Sequence, residues 1–193
     1  MVARDIALCK LTQGKLHIAH ISTEGSVKLI RDAKASGIRV TAETCPHYFC
    51  LTDDSLKGYS TNLKVNPPLR TEKDVEAVKQ GLKDGTIDVI ATDHAPHHID
   101  DKNKEFDAAA FGISGLETAL ALGLQLVEKG VLDLNHLITK MSLTPSKITG
   151  IKKGTLAVDA DADIAIINLQ KQFKVDSSGF LSKGRNTHLM NGI

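Results

Sequence analysis

Three side chains of this 193-residue chain are of types that bind a transition metal, and they sit where parallel α/β sheets place their chemistry. His20 closes the run His17-Ile-Ala-His20, His47 follows Cys45-Pro46, and Asp93 comes after the apolar run Val89-Ile-Ala-Thr92. A carboxylate at the end of a buried strand is costly unless it is paired or bound to metal. Asp93 is therefore the strongest local signal: it can hold an ion and also accept a proton from an acidified water. Two histidines and an aspartate make a zinc-like donor set, and zinc with an open position lowers the pKa of its water to about 7. His17 and His20 are three apart, so on a strand they point to opposite faces. They should not chelate one ion together, and His20, nearer the strand's C-terminal end, is the better ligand.

Asn66, in Asn66-Pro-Pro-Leu-Arg70, offers an amide that donates and accepts at once, which suits a cyclic imide or ureide ring. Each of these residues also has an ordinary reading when taken alone. A strand histidine is most often a core residue. Cys45-Pro46-His47 reads as a strand-ending turn with a dry structural cysteine, Asn66 as a turn residue, and Asp93 as a helix cap. Their joint placement, at successive strand ends, is what favours the metal.

The elements that must hold these groups follow a strand-then-helix pattern. Short apolar strands are expected over residues 16–21, 38–43, 63–66 and 87–91, the last apolar enough to be buried on both faces. Helices are expected over 23–36, with Val27, Ile30 and Ala33 on one face and Gly37 as a stop, and after Thr71-x-x-Asp74, with Val75, Val78 and Leu82 as the stripe and Gly85 as the end. The polar segment 97–107 reads as a mobile loop. Ser114-x-x-Glu117 reads as the cap of a helix carrying Leu116, Leu120, Leu124 and Val127, and helical pieces follow near 134–141 and 145–148. From Gly154 the texture changes, and residues 155–158 and 164–168 read as strands of a small β appendage. Alternating strands and helices imply a parallel sheet or barrel. The expected division is 1–150 for the metal-dependent domain and 151–193 for the appendage.

Composition narrows the partners. The net charge of +1 recommends neither nucleic acid nor an anionic membrane, and 4% aromatics with no Trp leave no base-stacking platform. Three cysteines without Cys-x-x-Cys spacing fit a reducing cytoplasm. Arg4 and Asp5 follow Met1 with no apolar stretch of signal length, and the longest apolar run, around 119–127, is too short to span a bilayer. At 193 residues the chain falls short of the roughly 250 of a complete eight-fold barrel.

The motifs His17-Ile-Ala-His-Ile-Ser22, Glu43-Thr-Cys-Pro-His47, Asn66-Pro-Pro-Leu-Arg70, Ala91-Thr-Asp-His-Ala-Pro-His97 and Gly112-Ile-Ser-Gly-Leu-Glu-Thr-Ala-Leu120 together resemble the dihydroorotases of the amidohydrolase superfamily, in the class related to multifunctional pyrimidine-synthesis proteins. The resemblance runs from about residue 4 to 190. Hydantoinases and allantoinases share the architecture, but the Asn66 and Asp93 motifs look more like dihydroorotase. The resemblance implies an α/β fold, a partial (β/α)8 TIM-type barrel of strands five to eight with a C-terminal β appendage. It implies reversible closure of N-carbamoyl-L-aspartate to L-dihydroorotate, with two zinc ions in the complete enzyme. His20 and His47 would bind the second zinc. Asp93 would bind the first and shuttle the proton. Asn66 would hydrogen-bond the ring, His97 would contact the substrate carboxylate, and the backbone at Phe111 and Gly112 would touch the ring from the other side, under a covering loop at 97–110. The family's His-x-His pair, its following arginine and its bridging carboxylated lysine or aspartate have no counterpart in this sequence. Four parallel strands alone would leave open edges. The implied partners are therefore a small-molecule substrate and a second chain, as a homo-oligomer or as a supplier of the missing half. The alternatives are a non-catalytic homologue that supports aspartate transcarbamoylase, and a hydantoinase or allantoinase relative.

Overall fold

The computed structural model describes residues 1–187. Its centre is a parallel sheet of β1 (Leu16–Ile18), β2 (Val40–Thr44) and β3 (Val89–Ile90), in that order. The register pairs Leu16 with Val40 and Glu43 with Val89. Along β2 the side chains alternate: Val40, Ala42 and Thr44 are buried, while Thr41 and Glu43 are half-buried on the opposite face. His17 of β1 lies beside them and bonds both, Nδ1 to Thr41 Oγ1 at 2.8 Å and Nε2 to Glu43 Oε2 at 3.1 Å.

The helices follow the sequence pattern where it was sharp. In α2 (Glu24–Ala35) the Thr23 side chain accepts from Ser26 N, Val27, Ile30 and Ala33 are buried, and Gly37 takes φ 75° beyond the end. In α4 (Glu72–Lys83) the Thr71 side chain accepts from Asp74 N, and Val75, Val78 and Leu82 are buried. Both helices pack on the sheet around one apolar core. At its lower edge the Asp88 carboxylate accepts from Lys34 Nζ of α2 at 2.7 and 2.8 Å and from Ala42 N of β2 at 2.8 Å. The buried Lys140 ammonium donates to the neighbouring Ile87 carbonyl. A continuous helical run supplies that lysine: α7 (Leu134–Ile138), a widened turn at Thr139–Leu143 and α8 (Thr144–Thr149).

Several expectations are corrected. Residues 63–66 do not form a strand. A 3₁₀ turn at Thr61–Leu63 draws the Leu63 and Lys64 amides back to Ser60 O and Thr61 O, and the Lys64 carbonyl is taken by Gly112 N. With these groups taken by the turn and by Gly112, the segment joins no ladder, and β2 pairs directly with β3. The N-terminal helix α1 (Val2–Thr12) lies outside the expected elements; its half-buried Val2 and Ile6 pack against the core, and Cys9, at the same helical spacing, is buried. The helix after Ser114 begins later, as α6 (Ala119–Glu128), and buries Ala119, Leu122 and Leu126 rather than the expected stripe. Leu116 is exposed, and Leu120 and Leu124 line a groove of about 770 Å³ against residues 167–174. The helix is apolar nearly all round, so periodicity could not choose its face. Residues 155–158 and 164–168 form no strand; Leu156 and Ile166 stand 81% and 97% exposed, with no ladder partner among the described residues. The end of the expected appendage, 188–193, lies outside the described residues. No helix among the described residues is long and apolar enough to cross a membrane.

Replacing Asp88 with Ala strips the Lys34 ammonium and the Ala42 amide of their partner at once. It is expected to lower stability by about 2 kcal/mol, read from the urea midpoint at constant m-value. An unchanged midpoint would show that this carboxylate does not hold the sheet together.

Candidate active site

The ends of β2 and β3 bring His47 and Asp93 together, and His20, past the end of β1, lies within electrostatic reach of both. His20 (φ 43°) and Asp93 (φ 47°) both adopt the left-handed backbone region just past their strands. For residues other than glycine this costs roughly 1 kcal/mol or more, a strain that collects at functional sites. His47 arrives differently. β2 stops at Thr44, Cys45 is extended, and Pro46 opens the short helix α3 (Pro46–Cys50), whose first turn carries His47. The Thr44 hydroxyl, fully buried, donates to Ile21 O at 2.7 Å and so ties the ends of β1 and β2.

His47 is 2% exposed, and its Nε2 has no hydrogen-bond partner. That nitrogen faces Asp93 Oδ2 at 3.8 Å. Cys45, His47 and Asp93 can bring one ligand atom each to within 4.8 Å of one another. Burial, with the neighbouring His20 charge adding to it, lowers the His47 pKa to about 4, so the ring is neutral at pH 7, the form that ligates a metal. Partial burial raises the Asp93 carboxyl; His20 opposes the rise and Glu43 adds to it. The Cys45 thiol is pushed well up, first by burial and then by Asp93 and Glu43, and so keeps its proton, as a structural cysteine does. An orphaned buried imidazole nitrogen beside a carboxylate, with a second imidazole within electrostatic reach, is a donor set that fits zinc. Glu43 belongs to this electrostatic group although sequence reasoning assigned it no role; its alternation with Ala42 and Thr44 on β2 was the available signal. His17 stays outside, bonded to Thr41 and Glu43.

A second group gathers beyond Asp93. His97 Nε2 bonds Phe111 O at 2.8 Å, and Gly112 donates its amide to Lys64 O at 2.8 Å. Gly112 takes φ 136°, where a Cβ would stand 2.5 Å from Ala95 Cβ, so only glycine lets this backbone lie so close. Asn186, almost fully buried, accepts from His97 N and Ser114 Oγ and donates to Ala95 O and Gly112 O, using every hydrogen-bonding capacity of its amide. Ser114, expected as a helix cap, is thus spent on this junction, and Glu117 accepts from Ser182 N. Segment 97–107, expected to be a mobile loop, contains a turn of helix, α5 (Ile99–Lys102), and its lysine is buried. His94 is structural: Nδ1 accepts from Leu116 N at 3.2 Å, and Nε2 lies 3.3 Å from Ser182 Oγ. Asn66 is exposed on a turn held beside α3 by the Tyr48 hydroxyl, which donates to Pro67 O at 2.7 Å.

The fold has counterparts among known proteins. Residues 8–189 match the amidohydrolase family, and the chain belongs to it. Among curated relatives, the dihydroorotase of Acetivibrio thermocellus is 58% identical over 188 residues, and that of Syntrophus aciditrophicus 57% over 187. Each alignment covers 97% of this chain and 44% of the relative. The chain thus spans less than half the length of the curated relatives it matches. Among solved structures, L-hydantoinase from Arthrobacter aurescens superposes with a TM-score of 0.86 at 35% identity, covering 92% of this chain and 41% of that one.

The buried neutral His47 predicts acid sensitivity of the metal-free chain. Its ordinary pKa of 6.5 falls to about 4 on folding. Above pH 6.5 the ring is neutral in both states and stability is complete. Between pH 6.5 and 4 the unfolded chain gains a proton that the folded chain refuses, so stability falls by roughly 3 kcal/mol across that window. Urea midpoints measured across it should decline in the parent and much less steeply in His47→Gln; parallel slopes would remove His47 as the cause.

Proposed function

We propose that this chain carries part of the active site of a dihydroorotase-type cyclic amide hydrolase, which opens L-dihydroorotate to N-carbamoyl-L-aspartate and closes it in reverse. The observation that carries the reading is the convergence of His20, His47 and Asp93 at adjacent strand ends, two of them in strained backbone. Identities of 57–58% to dihydroorotases across nearly the whole chain support it. Residues 1–150 would serve as the barrel portion, strands five to eight in the resemblance, and 151–193 as part of the β appendage.

His20, His47 and Asp93 would hold zinc, two ions in the complete enzyme, and zinc supplies Lewis acidity that polarises the amide carbonyl and acidifies a water. The residues of the chain do the rest. Asp93 takes the proton of the attacking water and passes it to the ring nitrogen as the C–N bond breaks. Asn66 presents an amide to the ureide, donating and accepting at once. The Phe111 and Gly112 backbone borders the ring. His97 now spends Nε2 on the Phe111 carbonyl, so contact with the substrate carboxylate requires its other nitrogen to be protonated or a change of partner.

The half-buried face of Thr41 and Glu43 and the edge of β1, unpaired among the described residues, are where further polypeptide carrying the remaining strands and ligands would complete the barrel, in the cytoplasm. The retained His20, His47 and Asp93 favour this reading over a non-catalytic role in support of aspartate transcarbamoylase. Likeness to an L-hydantoinase keeps hydantoins as a second substrate class.

Zinc content and dihydroorotate hydrolysis measured on one active preparation test the reading, with the chain alone or joined by the segment that completes it. Asp93→Ala should lower turnover at least about 100-fold, and His20→Ala with His47→Gln should lower bound zinc. Near-normal activity in the first variant sinks the mechanism. Full zinc in the second removes the two histidines from the site, and faster turnover of hydantoin than of dihydroorotate moves the chain to the other substrate class.

A further inference from the structure

Two lysines outside the strand-end cluster are buried without a carboxylate partner among the described residues. Lys64 is 7% exposed and Lys102 2% exposed. Burying an ammonium group is costly unless its protons are received, and here backbone carbonyls receive them. Lys64 Nζ donates to Asp107 O and Ala109 O, both at 2.7 Å. Lys102 Nζ donates to Ala110 O at 2.7 Å and Gly112 O at 3.1 Å. With His97 on the Phe111 carbonyl, the four successive carbonyls from Ala109 to Gly112 are all turned onto side-chain donors. Lys64 Nζ also lies 4.5 Å from the centre of the exposed Phe111 ring, within cation–π range.

This arrangement differs from ordinary loop packing in three respects. First, the lysines come from opposite sides: Lys64 from the segment after the 3₁₀ turn, Lys102 from the end of α5, inside the loop itself. Second, the position of Lys102 is itself fixed, because the Thr61 hydroxyl donates to its carbonyl at 2.6 Å. Third, the two ammonium groups are close enough to repel. Burial chiefly, and Lys64 in addition, bring the Lys102 pKa down to about 8. Two like charges held together against their repulsion indicate that the carbonyls they gather are worth holding. Neither lysine was singled out from the sequence, because a lysine in a polar segment reads as solvated surface.

We propose that Lys64 and Lys102 are positioning residues that fix the edge formed by Phe111 and Gly112 over the strand ends, by clamping the carbonyls of Asp107, Ala109, Ala110 and Gly112 inward. The role of that edge toward substrate rests on the dihydroorotase reading above; the clamp itself does not. The clamp sets which groups the edge presents. With its carbonyls turned away, the backbone facing the site is less electronegative, which favours a substrate that brings carboxylate and carbonyl oxygens.

The test is hydrogen exchange at the amides of Ala109, Ala110 and Gly112, each hydrogen-bonded in the closed arrangement. It compares the parent chain with Lys64→Met, Lys102→Met and the exposed control Lys104→Met, and the active preparation supplies KM and kcat. Roughly tenfold or greater acceleration confined to these amides is expected in the first two variants and none in the control. A rise in KM larger than any fall in kcat should accompany it. Should a methionine variant fail to fold, Thr61→Val, which frees only the Lys102 carbonyl, should loosen the same amides to a smaller degree. Unchanged exchange in Lys102→Met, or in Thr61→Val where Lys102→Met does not fold, overturns the clamp. Accelerated exchange with KM and kcat both unaltered overturns the role toward substrate. If L-dihydroorotate neither turns over nor slows these amides in the parent, the dihydroorotase reading fails, and the exchange rates alone judge the clamp.

Discussion

Everything at the strand ends depends on the register of three very short parallel strands, and the Asp88 carboxylate is the interaction that secures it. Standing just before β3, it accepts a main-chain amide from β2 and an ammonium from α2. Parallel strands of two to five residues have few ladder bonds of their own. A slip of one residue would turn every side chain to the other face. Thr41 and Glu43 would then enter the core, and Asp93 would leave the cluster. The lower end of the sheet is thus locked by charge so that the upper end can carry strain.

That strain has a chemical purpose in the proposed reaction. His20 and Asp93 each take a left-handed backbone conformation just past the end of their own strands. His47 cannot come this way, because Pro46 forces helix where a turn would otherwise continue. It enters from a helix start and is sealed from water. Burial that strips an imidazole of its proton and leaves a nitrogen unpartnered costs stability, and a bound cation would recover it.

The polar junction beyond Asp93 solves a different problem. The loop after β3 must lie close over the site, yet it contains too few apolar residues to pack by itself. Buried amide and ammonium donors take over: Asn186 from the tail, Lys64 from one flank and Lys102 from within. Tail and loop become one unit with the strand ends. A segment expected to be mobile is thereby held by hydrogen bonds, because donors distant in sequence converge on it.

The sequence by itself determined the local elements with sharp signals and singled out the groups that the proposed reaction uses. Thr23 and Thr71 announce their helices, and Val27, Ile30, Val75 and Val78 mark the buried faces. His20, His47 and Asp93 stand out because a charged or ligating residue after an apolar strand is costly without a purpose. Tertiary structure alone decided what depends on a distant partner. Residues 63–66 look like a strand, but the Gly112 amide claims the Lys64 carbonyl. The apolar circumference of α6 fits several faces, and the packing of α3 and α7 against it selects one. Residues 155–158 and 164–168 have strand composition but no ladder partner among the described residues. Buried Lys64, Lys102 and Asn186 have ordinary surface chemistry in the sequence and acquire their role only where the fold gathers carbonyls around them. Short-range sterics and periodicity are written in consecutive residues; long-range hydrogen bonding and burial are not.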